Sequence, residues 1–156
     1  MKLVESLNTV LPYQCIMNTD KQKQYMFQFD NIDFVVCFIY NDVNDLVLCA
    51  IDFFSITKDG HLNVDLTSNH KNSLRMFSTV CHIIQQTINS WDVLTFINDP
   101  SRSDLYGMLI KKLGKHFKVI HQTSDSIDTW FVSKNDIASD KMPDLQHRAH
   151  RMRTKK

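Results

Sequence analysis

With 156 residues the chain has the length of one ordinary domain, and 43% of it is hydrophobic, enough to bury a real core and to exclude wholesale disorder. It holds no run of eighteen apolar residues and no charged-then-apolar leader, so the expectation is a soluble intracellular protein. The net charge of +1 conceals an asymmetry: in residues 141–156 six cations oppose only Asp144, giving +5 there and leaving −4 for the rest.

In chain order, Leu3, Leu7 and Val10 recur at helical spacing and predict a short helix over 2–10, before Pro12. Residues 24–30 alternate Tyr25, Phe27 and Phe29 with Met26 and Gln28, the period of a half-buried strand. Asp30-Asn31 offers a tight turn, and the apolar run 32–40 predicts a second strand. The cluster Asn41-Asp42-Val43-Asn44-Asp45 has turn composition. A third strand over 46–56 is almost wholly apolar, which points to a central place in a sheet. Lys58-Asp59-Gly60 turns the chain again, and Leu62, Val64 and Leu66 alternate through a fourth strand, 61–67. Together these predict a four-stranded antiparallel meander.

The period then changes. Leu74, Phe77, Cys81, Ile84 and Ile88 recur every three or four residues, the stripe of a helix lying on a sheet, with Ser68, Asn69 and Asn72 as competent N-caps. Residues 92–98 predict a strand buried on both faces. A second helix runs to Gly114, with Leu105, Leu109 and Leu113 inward and Arg102, Lys111 and Lys112 outward. Ser101 and Asp104 stand at capping-box spacing behind Pro100. Two closing strands, 117–123 and 127–133, flank the turn Ser124-Asp125-Ser126. The order ββββ-α-β-α-ββ predicts an α+β (α/β-like) fold: a mixed, mainly antiparallel sheet with two packed helices in one domain, 1–134. Residues 135–156 lose apolar periodicity and read as a basic C-terminal tail.

Little in the residue inventory points to common site chemistry. Cys15, Cys37, Cys49 and Cys81 form no Cys-x-x-Cys pair and read as buried free thiols. The seven histidines show no metal-ligand spacing beyond the weak pair His147 and His150, so no metal is expected. Without a Gly-x-Ser-x-Gly elbow a hydrolase triad has no support. Asp52, inside the apolar run Ala50-Ile51-Asp52-Phe53-Phe54, is either a buried base with a raised pKa or a residue on the outer face of the sheet.

The segment 92–114 is the most informative: a strand, a capped turn and a helix carrying Leu105-Tyr106 and closing on Leu113-Gly114. With the element order from about Tyr25 to Ser133, it resembles the GNAT superfamily of N-acyltransferases. The likeness is nearest to short bacteriophage GNAT-like proteins, through Phe77-Ser78-Thr79-Val80 and Pro100-Ser101-Arg102-Ser103-Asp104-Leu105-Tyr106. The Asn- and Asp-rich, glycine-poor composition is compatible with an AT-rich phage genome. The resemblance implies an acetyl-CoA groove between two strands, with pyrophosphate at the N-terminus of the first long helix. It also implies that Tyr106 protonates the departing thiolate; the plainer role is a tyrosine packed on the sheet with its hydroxyl satisfied nearby. The chain departs from the family at the phosphate loop, where Arg/Gln-x-x-Gly-x-Gly/Ala is replaced by residues 66–76 without a glycine. Glycine lets backbone N–H groups approach the pyrophosphate. Ser68, Asn69, Lys71, Asn72 and Ser73 remain as cofactor-binding candidates, but their side chains crowd that approach.

Two readings follow from this likeness. The missing glycines favour a non-catalytic, phage-type accessory or structural module that uses no cofactor. It would bind a protein or nucleic-acid partner through Arg102 and the tail residues Arg148, Arg151, Arg153, Lys155 and Lys156. The plain alternatives are an outward helix arginine for Arg102 and a solubilising extension for the tail. Retention of Tyr106 keeps the second reading, an acyl-CoA-dependent N-acyltransferase using acetyl-CoA. The expected place is the host cytoplasm or the virion, within a larger assembly and away from membranes. The discriminating feature is the gap between the strand ending near Thr67 and the strand at 93–97. An open gap lined by backbone donors suits the enzyme, and one filled by Phe77, Met76 or His70 suits the binding module.

Overall fold

The computed structural model describes residues 10–29, 31–56, 62–63, 70–96, 103–124 and 127–154. The predicted helix over 2–10, the turn at Lys58-Asp59-Gly60 and the capping segment Pro100-Ser101-Arg102 lie outside them. Strands β1 (Tyr13–Asn18), β2 (Gln22–Phe29), β3 (Ile32–Val43) and β4 (Leu46–Ile56) run as an antiparallel meander. Strand β1 has no alternation to announce it, because it is an edge: five of its six residues are exposed, and a bulge interrupts it between Cys15 and Met17. The turn cluster predicted at 41–45 is a two-residue hairpin. Asn44 and Asp45 sit at φ 48° and 69°, the doubly left-handed geometry of a type I′ turn, while Asn41–Val43 continue the strand opposite Leu46–Leu48. Asn31 takes φ 64° in the preceding turn.

Strand β5 (Leu62–Asn63) pairs with Ser55 and Ile56 at the end of β4; the rest of the predicted 61–67 strand is outside the described residues. Helix α1 (His70–Gln86) and a 3-10 turn at Ile88–Ser90 lead to β6 (Val93–Phe96), which is buried throughout and parallel to Leu48–Ile51 of β4. Asp92 sets the start of this pair, since its N–H donates to Val47 O at 2.9 Å and its carboxylate accepts the Val47 N–H at 2.8 Å. Helix α2 (Ser103–Leu113) precedes the hairpin of β7 (Lys118–Ser124) and β8 (Ile127–Ser133), and β8 lies beside β6. The main path is β1-β2-β3-β4-β6-β8-β7, mixed and mainly antiparallel. Gly114 closes α2 for want of room: a Cβ there would stand 3.2 Å from both Ile110 O and Val119 Cγ2.

The alternation of β4 feeds two cores. On one face Cys49, Ile51 and Phe53 join Phe34, Val36 and Phe38 of β3, under Val80, Ile83 and Ile84 of α1 and Leu109 and Leu113 of α2. On the other, Leu48 and Ala50 join Val43, Val93 and Phe131 under a third helix, α3 (Met142–Thr154). Among the described residues the sheet is covered by three packed helices where two were expected, and the segment expected to be a tail is corrected: it carries a packed helix. Leu145, Ala149 and Met152 stand at i, i+4 and i+7, a stripe narrow enough to be hidden among histidines and arginines. That stripe suffices because the sheet beneath is already apolar, and a fully buried leucine contributes about 1.5–3 kcal/mol. Hydrogen bonds from Asn44 to Asp144, from Arg148 to Asn41 and from Gln146 to Gln122 pin the helix at its rim. Among the described residues no helix is long and apolar enough to cross a membrane.

Candidate functional site

Strands β4 and β6 pair only from Leu48 to Ile51, and farther along the same edge of β4 the partner is β5, at Ser55 and Ile56. Between those pairings, residues 52–54 have no strand partner on that edge among the described residues. Pairing of β4 with β6 ends at Ile51 among the described residues, and the segment near Thr67, expected from sequence to face β6, lies outside them. Helix α2 carries Tyr106 to this stretch of β4. The Tyr106 ring packs against Phe96 at 5.1 Å between centroids, and its hydroxyl accepts the Phe53 N–H at 3.2 Å. Tyr106 is 4% exposed and Phe53 not at all. A peptide N–H just beyond the end of a strand pairing is the kind of donor that would polarise a thioester carbonyl. Here a side-chain hydroxyl holds it, in a setting closed to solvent.

The groups named as gap-fillers behave differently. Met76 is buried in the core beside this region, and Phe77 is half-buried with the Lys112 ammonium 5.7 Å over its ring. His70 opens α1, its side chain outside the described set. Of the phosphate-loop candidates, Lys71, Asn72 and Ser73 belong to the first turn of α1, while Ser68 and Asn69 lie outside the described residues.

Asp52 is buried, but alternation along β4 puts it on the opposite face from Phe53, beside Cys37. The sheet therefore separates it from Tyr106, and the two do not form an acid–base pair. Helix α3, which carries the described basic candidates, packs on that far side as well. Arg148, half-buried on α3, donates to Asn41 Oδ1 at 3.1 Å, and Arg151 is exposed with His147 and His150. Arg153 is on α3; Arg102, Lys155 and Lys156 fall outside the described residues. The described candidates divide between two helices: Lys71, Asn72 and Ser73 stand on α1, and Arg148, Arg151 and Arg153 on α3.

Cys37, Cys49 and Cys81 are buried free thiols, whereas Cys15 is exposed on the edge strand. Burial pushes the Cys81 thiol up to about 11 despite the Lys112 charge pulling the other way, and holds Cys49 well above its usual range. Among the described residues no three of His, Cys, Asp or Glu gather as a metal site. The sequence singles out Tyr106 but not the Phe53 N–H it meets, since a backbone donor carries no residue signature. No family model, curated protein or solved structure matches this chain. What the fold defines is an α+β domain with a mixed sheet covered on both faces.

Proposed function

We propose that this chain is a non-catalytic GNAT-like module of the phage accessory or structural type, which binds a protein or nucleic-acid partner. The observation that carries this reading is the bond between Tyr106 and Phe53. The hydroxyl that the enzyme would use as an acid is engaged as an acceptor, on the donor that the enzyme would offer to a thioester. Acetyl-CoA would have to break this bond and part α2 from β4 before any chemistry. Support for the GNAT likeness comes from a parallel pair whose described pairing ends at Ile51, a helix leading into its second strand, and a following helix that carries the tyrosine to that edge of β4. The glycine-free segment 66–76 points the same way, because a pyrophosphate needs close backbone approach. On the far face, Arg148, Arg151 and Arg153 of α3 supply cations for a phosphate-bearing or acidic partner, at the end of the chain where the excess positive charge lies.

The test is a calorimetric titration of the full chain with acetyl-CoA at moderate salt. The expected result is no binding at any concentration up to about 1 mM, weaker than about −4 kcal/mol. Micromolar binding would overturn the proposal in favour of an acyl-CoA-dependent N-acyltransferase and would direct a search for its acceptor amine.

A further inference from the structure

Charge is distributed along this chain in a way that no single element reveals. Residues 105–124 and 145–156 hold nine of its eighteen Lys and Arg residues, four of its seven histidines and none of its seventeen Asp and Glu residues. The fold brings these two acid-free segments to one edge of the sheet. Strand β7, at the end of the sheet path, belongs to the first segment, and most of α3 to the second. Gln146 of α3 donates to Gln122 Oε1 of β7 at 3.2 Å. His150 and Arg153 follow Gln146 at i+4 and i+7, on the same side of α3, and His150 is exposed. On the other face of the sheet, Gly114 lies against Val119 of β7, and Lys111, Lys115 and His116 beside it are exposed. Lys118 is partnered by Asp136 at 3.2 Å.

The same edge displays an aromatic pair. His121 and Trp130 oppose each other across β7 and β8, and their rings stack at 4.1 Å between centroids with 9° between planes. Alternation puts them on the face that carries Val119 and Val132, beneath α1 and α2. Both are exposed, the indole at 36%. Cations without carboxylates select a polyanion. A flat aromatic surface among them selects a polyanion with unpaired rings, because bases stack on aromatic side chains and carboxylates do not. A duplex hides its rings and is too stiff to follow cations from one face of the sheet round to the other. We propose that the β7 edge binds single-stranded nucleic acid. A base stacks on the His121–Trp130 pair, and phosphates lie against Lys111, Lys115, His150 and Arg153. The inference rests on the partner-binding reading above and names the partner.

The test titrates the full chain into a fluorescein-labelled oligothymidylate of about twelve nucleotides, read by anisotropy. A duplex of equal length and polyglutamate at equal charge serve as competitors. Saturable binding is expected, and indole fluorescence should fall with it, since Trp130 meets solvent whereas Trp91 is 2% exposed. With about four phosphates engaged, raising the salt about fourfold should weaken binding about fiftyfold, and in Lys115→Gln, which loses one contact, about twentyfold. Trp130→Ala should bind about tenfold more weakly, while Trp130→Phe, which keeps a ring, should stay within about threefold of the natural chain. Three results overturn the proposal: no saturable binding, a duplex that competes as well as the single strand, or Trp130→Ala binding like the natural chain. Polyglutamate competing as well as the oligonucleotide also overturns it, but leaves a partner-binding module in place. Micromolar acetyl-CoA binding, measured separately, would overturn the module itself.

Discussion

Replacing Tyr106 with phenylalanine removes one oxygen atom and leaves the ring against Phe96, so its effect isolates the hydroxyl. That hydroxyl accepts the Phe53 N–H at 3.2 Å, and the donor residue is fully buried where β4, on the edge away from β3, has no strand partner among the described residues. The N–H of the variant therefore has no replacement acceptor along that edge of β4 among the described residues and no water to turn to. Leaving a buried amide unsatisfied costs about 1–3 kcal/mol. For a chain of this size each kcal/mol lowers the melting temperature by about 2–4 °C, so Tyr106→Phe should melt about 2–12 °C lower. Differential scanning calorimetry reads the temperature, and amide hydrogen exchange reads the site: Phe53 should exchange slowly in the natural chain and faster in the variant. If Tyr106 instead stood in an open, hydrated groove, water would replace its hydroxyl at once. A change within about 0.5 kcal/mol, with Phe53 exchange unaltered, would refute the closed setting and the non-catalytic reading built on it.

Two further outcomes check the second core and the thiols. Leu145→Ala should cost about 2–5 kcal/mol in urea denaturation, because the leucine is fully buried between α3 and the sheet, whereas in an unpacked tail the change would stay within about 0.5 kcal/mol. Ellman's reagent at neutral pH should titrate one thiol, Cys15, in the native chain and all four after denaturation. Because burial raises the Cys81 pKa from 9.0 to about 11, the folded state holds that proton more tightly than the unfolded one. Its contribution to stability is thus complete below pH 9 and declines as the pH rises through about 11. A melting temperature flat across that window would contradict this burial.

Much of the architecture was legible because burial writes a period into the residues. The almost wholly apolar run of β4 and the Val-Leu-Thr-Phe run of β6 marked strands covered on both faces, and the three-to-four spacing of α1 marked a helix on a sheet. Strand β1 was not legible, since an exposed edge needs no apolar alternation. Helix α3 was hidden for a related reason. Four apolar residues in thirteen are too few to stand out, and their value comes from the sheet face they meet. Tyr106 could be singled out from its place after Pro100-Ser101-Arg102, but its bond to a backbone group fifty-three residues earlier could not. Gln122 and Gln146 come from separate elements, and no local pattern joins the two acid-free segments that they tie together.

By itself, then, the sequence determined the element types, the mixed sheet and the glycine-free segment before α1, because these follow from local periodicity and residue chemistry. Only the tertiary structure decided that β4 pairs with β6, that Tyr106 takes the Phe53 N–H, and that Arg148 and Arg151 ride on a docked helix. Those outcomes depend on which buried surfaces and unpaired backbone groups find each other across the fold, and distance along the chain does not encode that.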